Sequence, residues 1–137
     1  MPTVELLFSA QPEHVRTARL VAAQVARRAG VDEAALDEVR LAVGEACSRA
    51  VGLHRSNGVT EPVRVLLNEE EKKFSIEVVD EVPGNAIGSA PDTGDDSAAD
   101  DEGEMGLAVI SGLVDDVEVI EGDNGGTIRM SWPTASA

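Results

Sequence analysis

The side chains able to do chemistry sit in four short stretches of this chain. Glu45-Ala46-Cys47-Ser48-Arg49-Ala50-Val51 puts a carboxylate and a guanidinium at i and i+4 of a helical pattern, where they share a face and can pair. Asp80-Glu81-Val82-Pro83-Gly84 sets a carboxylate at the end of a strand pattern, able to accept a charge-assisted hydrogen bond. Gly103-Glu104-Met105-Gly106-Leu107 brings glycines, which let backbone approach an anion, to the start of a helical pattern with free N–H groups. Gly126-Thr127 opens the last strand pattern. Singly, each has an ordinary structural explanation. Glu45 reads as a solvated helix charge, Asp80 as a strand terminator before Pro-Gly, the glycines as a helix start and Thr127 as a strand residue.

The elements that must position them follow from periodicity. Val4 to Phe8 reads as a strand entering a turn at Ser9-Ala10-Gln11-Pro12. Val15, Ala18, Ala22, Val25 and Ala29 then step by three and four along one helix, stopped by Gly30. Asp32 can cap a second helix reaching about His54, with Leu36, Val39, Val43, Ala46, Ala50 and Leu53 as its apolar stripe. Gly44 costs that helix about 1 kcal/mol against alanine unless something packs near its backbone. Pro62–Glu69 and Phe74–Asp80 form a hairpin, Met105–Val114 a short helix, and Val117–Glu121 with Thr127–Trp132 a closing hairpin. Between them, residues 85–104 carry seven acidic side chains and no basic one, a composition expected to form a disordered acidic lid. The tail after Trp132 should fray. This order predicts an α/β two-layer sandwich: a mixed, mostly antiparallel sheet with helices on one face.

Composition narrows the function classes. A chain of 137 residues suffices for one domain with a single core. Its aromatic residues are Phe8, Phe74 and Trp132, so the core is aliphatic and base stacking lacks its usual side chains. A net charge of −15 excludes nucleic acid as a direct partner and favours a basic protein surface. Cys47 is alone, which rules out an intrachain disulfide and a thiol-clustered zinc site; it reads as a small buried apolar residue, and no metal ligand is assigned. His14 and His54 read as surface or capping residues. No stretch approaches about 20 apolar residues and no basic-then-apolar leader is visible, so a soluble cytoplasmic protein without a membrane partner is expected.

In this order and spacing the four stretches resemble the N, G1, G2 and G3 boxes of the GHKL ATPase superfamily, which uses the Bergerat ATP-binding fold. The chain length and the segment Leu41-Ala42-Val43-Gly44-Glu45-Ala46 look most like the RsbW and SpoIIAB branch, anti-sigma factors that also phosphorylate a serine on a small anti-anti-sigma partner. The resemblance spans nearly the whole chain and implies one domain over 1–137. It implies ATP or ADP as ligand, with Asp80 accepting from the adenine amino group and Thr127 completing that contact, directly or through water. Gly84 would permit a tight turn beneath the base, Gly103, Gly106 and Leu107 would lie at the phosphates, and Glu45 would be the general base toward the accepting serine.

The pattern breaks where phosphate and magnesium should be handled. Arg49 stands where the family has an asparagine that helps hold Mg²⁺, and a guanidinium has no lone pair to give a metal. Pairing with Arg49 would also lower the basicity of Glu45. Val82 replaces a glycine of the first glycine box, adding bulk under the nucleotide. Glu102 falls near a lid arginine of the kinase branch, and no lysine or arginine lies between Glu81 and Val114, so the lid repels a triphosphate. The expectation is an anti-sigma-factor-like regulator that binds a sigma factor and/or an anti-anti-sigma factor, with ATP-dependent phosphotransfer weak or lost. Arg49 touching ATP phosphates in place of a metal would preserve nucleotide binding without Mg²⁺. The alternative is an active anti-sigma serine kinase; a detached histidine-kinase ATPase domain ranks below both. The homodimer common in the family stays open.

Overall fold

The computed structural model describes residues 3–82, 110–114, 116–122 and 125–134. Strand β1 (Thr3–Phe8) leads into helix α1 (Pro12–Ala29), whose first turn carries Pro12 and Glu13 and whose last turn carries Arg27 and Arg28. Gly30 ends the helix in the left-handed conformation at φ 102°, its N–H donating to the Ala26 and Arg27 carbonyls. Asp32 then caps α2 (Glu33–Ser56), accepting from the Ala34 N–H at 3.4 Å. The short link makes α1 and α2 antiparallel neighbours. They return the chain so that β2 (Val63–Glu70) runs antiparallel to β1.

Strand β3 (Lys73–Asp80) follows β2, and β4 (Asp116–Gly122) and β5 (Gly125–Pro133) close the sheet in the order β1-β2-β3-β5-β4. Every pairing is antiparallel. This agrees with the mostly antiparallel sheet expected, and no parallel pair occurs among the described residues. Residues 110–113 make a helical turn, closed by the Val114 N–H donating to the Ile110 carbonyl at 2.9 Å.

The core lies between the helices and one face of the sheet. Val63, Val65 and Leu67 of β2, Phe74, Ile76 and Val78 of β3, and Ile128, Met130 and Trp132 of β5 are all buried there. Against them pack Ala18, Ala22 and Ala26 of α1 and Val39, Val43 and Ala46 of α2. The alanines let the helices come close, which costs little side-chain entropy and leaves little void. Cys47 belongs to this core, and burial pushes its thiol up to about 12, so it is a packing residue and not a nucleophile. A Cβ on Gly44 would stand 2.9 Å from Cδ of Arg19, an exposed side chain that would have to shift to admit it. Thr134 bridges Val31 and its N–H donates to the Lys72 carbonyl at 3.1 Å, so Pro133 and Thr134, expected to fray, are tied to the sheet end.

Two local features carry predictions. The hairpin of β2 and β3 turns at Glu71 and Lys72, tighter than the polar loop expected, and Lys72 adopts φ 67°. A non-glycine residue there stores about 1 kcal/mol of strain, so Lys72→Gly should raise the denaturant midpoint without changing the slope. On the open face of the sheet, Glu70 accepts from the Ser75 hydroxyl at 2.7 Å and lies 3.4 Å from Arg129 and 3.9 Å from Lys73. The Ser75 hydrogen bond first, then the Lys73 and Arg129 charges, hold its carboxyl below the ordinary 4.5 despite some desolvation. A depressed folded pKa contributes stability above the unfolded value and loses it as pH falls through the folded one. Acid titration of stability should therefore be shallower in Glu70→Gln than in wild type at and below that ordinary value, with parallel curves at neutral pH.

Candidate nucleotide site

Asp80 ends β3 on the helix side of the sheet, 3 % exposed. Its Oδ1 accepts from the Val82 N–H at 2.9 Å and from the Gly126 N–H at 3.2 Å. Its Oδ2 lies 3.9 Å from Nη1 of Arg49, whose side chain is 12 % exposed. The carboxylate is thus held by two backbone donors and faced by a nearly buried cation, with little contact to water. A Cβ on Gly126 would stand 3.0 Å from Asp80 Oδ2 and would press the carboxylate aside by a few tenths of an ångström. A Cβ on Gly125 would collide with the Asp80 carbonyl oxygen.

This geometry revises several expectations. Arg49 does not pair with Glu45; it reaches across to Asp80. The i, i+4 spacing permits either partner, and a carboxylate already fixed by backbone donors costs less side-chain entropy to meet than a mobile one. Glu45 is half-buried on α2 and makes no ion pair among the described residues. Thr127 is not beside Asp80. The antiparallel register sets Gly126 opposite Asp80 and Thr127 opposite Val79, so the pleat turns Thr127 toward the other face. Val82 is completely buried, with its N–H committed to Asp80. Gly84, Gly103, Gly106, Leu107 and the acidic stretch 85–104 lie outside the described residues.

Sequence reasoning missed His54, which is wholly buried and not a surface or capping residue. The signal was present: buried positions Cys47, Ala50, Val51 and His54 continue the three-and-four stepping of α2, whereas Leu53 is only half-buried. An open groove lined by Pro12, Ser48, Val51, Gly52, Arg55 and Ser56 also runs along α2, without reaching Arg49 or Asp80.

Arg49 has no lone pair to give a magnesium ion, and among the described residues no three His, Cys, Asp or Glu side chains gather to hold a metal ion. The strand-end carboxylate of Asp80 is faced by a cation of its own chain. No helix among the described residues is long and apolar enough to cross a membrane.

Comparison with known proteins agrees with the fold. Residues 8–132 match the model of the Histidine kinase-like ATPase domain. A Serine-protein kinase RsbW of Halalkalibacterium halodurans is 27 % identical, over 94 % of this chain and 82 % of that protein. RsbW proteins of Oceanobacillus iheyensis and Bacillus licheniformis are 29 % and 28 % identical, over 85 % and 93 % of this chain and 77 % and 83 % of theirs. The solved structure of the RsbU and RsbW domains of Rv1364c from Mycobacterium tuberculosis superposes with TM-score 0.71 at 17 % identity. It covers 100 % of this chain and 34 % of that one, and shows the shared fold. With its sheet, paired helices and strand-end carboxylate in place, the chain belongs to the histidine kinase-like ATPase domain family and is similar within it to RsbW.

Proposed function

We propose that this chain is a partner-switching regulator of the RsbW kind, binding a sigma factor and/or an anti-anti-sigma factor through protein contacts, with ATP-dependent phosphotransfer weak or lost. One observation carries the reading. The Arg49 guanidinium faces Asp80 at 3.9 Å in a nearly buried setting, where an adenine amino group would have to donate. Nucleotide must displace that cation or bind beside it. The same residue stands at the family's magnesium position and supplies no ligand. The run of acidic side chains over 85–104 adds repulsion toward a triphosphate. Titration calorimetry of the full chain with ATP and ADP, with and without Mg²⁺, tests the nucleotide part. Weak, magnesium-independent heats are expected, and tight magnesium-dependent ATP binding sinks it. Pull-down with a sigma factor and an anti-anti-sigma protein tests the partner part, and recovery of neither overturns it.

Glu45 favours a second reading, an active serine kinase. It is not tied to Arg49, which pairs with Asp80, so that ion pair does not occupy the carboxylate a partner's serine hydroxyl would approach. Transfer of labelled phosphate from ATP to an anti-anti-sigma protein, lost in Glu45→Ala, would establish it and displace the first reading.

A further inference from the structure

One peptide unit, the one joining Asp80 to Glu81, is held from outside at its N–H and packs its carbonyl against a glycine. Its carbonyl oxygen sits where a Cβ on Gly125 would be, so glycine alone leaves it room. Its N–H, that of Glu81, donates to Nε2 of His54 at 2.9 Å. The other ring nitrogen, Nδ1, lies 3.0 Å from the Glu61 carbonyl oxygen. A backbone N–H only donates, so Nε2 carries no proton, and the single ring proton sits on Nδ1 and is given to Glu61. One neutral, wholly buried imidazole thus ties α2 to the lead into β2 and to the exit of β3.

A peptide unit is planar, so a hydrogen bond that orients its N–H also orients its carbonyl, here seated against Gly125, and with it the direction in which the chain leaves Asp80. The next residue, Val82, then presents its N–H to Asp80 Oδ1, which the Gly126 N–H meets from β5. We propose that His54 is the positioning residue for the Asp80 carboxylate: through the Glu81 amide it sets the Asp80–Glu81 plane and so aims the carboxylate at the adenine subsite. The word "subsite" rests on the nucleotide reading above; the aiming of Asp80 does not.

Two substitutions divide the ring's tasks. In His54→Asn an amide at the Nδ1 position still donates to Glu61 but falls short of Glu81. In His54→Gln the longer side chain still offers Glu81 an acceptor and gives up the Glu61 geometry. A purely structural staple would respond alike to both. Nitrogen NMR of the full wild-type chain should show an unprotonated Nε2 with a coupling to the Glu81 nitrogen across the hydrogen bond. In His54→Asn the Val82 and Gly126 amide signals should shift and exchange about tenfold faster, the worth of one buried hydrogen bond; in His54→Gln they should not. ADP added without metal should follow the same order, about tenfold weaker in His54→Asn and near wild type in His54→Gln. A protonated Nε2 in wild type, or unmoved Val82 and Gly126 signals in folded His54→Asn, overturns the proposal. If His54→Asn does not fold, the wild-type coupling and the His54→Gln amides decide in the same way. Wild-type protein that binds no ADP, while the amides respond as expected, supports the positioning role and overturns the nucleotide reading alone.

Discussion

Arg49→Asn is expected to bind ATP and ADP about tenfold more tightly than wild type, or about 1.4 kcal/mol. The wild-type guanidinium lies 3.9 Å from Asp80 Oδ2, so an incoming amino donor must displace a cation that is 12 % exposed and has few alternative partners. Two unit charges at that separation attract by about 4 kcal/mol at an effective dielectric of 20, and rehydration of the released guanidinium returns part of this. Removing the cation leaves Asp80 its two backbone donors, so the carboxylate keeps its place. Asparagine further supplies a carbonyl oxygen suited to a hard cation, so the variant's ATP affinity should rise with Mg²⁺ while that of wild type does not. Arg49→Ala separates the two gains: it frees Asp80 without adding a ligand, so its tighter binding should ignore the metal. The sign of the effect decides. If Arg49 instead grips the phosphates directly, both variants bind more weakly than wild type, and calorimetry with and without Mg²⁺ would show it at once.

Most of the fold was legible because its signals are local. The stepping of Val15, Ala18 and Ala22 needs only a helix with one buried side, and the alternation of Phe74, Ile76 and Val78 only a strand with one. Asp32 and Gly30 mark helix ends through their own backbone and side-chain chemistry. Whether any strand pair is parallel lies one level higher, since it depends on how the helices and hairpins pack and not on local pattern.

The site was legible in composition and not in geometry. Asp80 stands out because a carboxylate at a strand end is a local pattern. Its partners do not, because Arg49 and Gly126 reach it from other elements, as His54 reaches the neighbouring Glu81 amide. Helical spacing put Glu45 and Arg49 on one face but left open whether Arg49 would look along the helix or off it toward β3. Thr127 was misplaced by a single residue of register, which in a strand moves a side chain to the opposite face. The charge of −15 at sequence level gave no sign that the buried carboxylate would meet a cation of its own chain.

Asp80→Ala is expected to cost about 3–5 kcal/mol of stability, the penalty for leaving a nearly buried cation and two backbone donors without their acceptor. Asp80→Asn keeps an oxygen for the Val82 and Gly126 N–H groups but leaves Arg49 without its anion, so it should cost less than alanine, about 2–3 kcal/mol. Urea melts of the two variants test the difference, and equal midpoints for alanine and wild type would refute the bonding assigned to this carboxylate. If the Arg49 contact contributes at its observed 3.9 Å, the double variant Asp80→Ala with Arg49→Met should be about 1–2 kcal/mol more stable than the sum of the single effects predicts. Additivity would mean that the backbone donors alone hold Asp80. The same pair of variants keeps structural and ligand roles apart. Loss of nucleotide in Asp80→Ala follows from either, whereas Asp80→Asn keeps the turn and replaces one accepting oxygen with a donating NH₂. That group meets an adenine amino donor with a donor of its own, so the folded Asp80→Asn protein should lose nucleotide affinity.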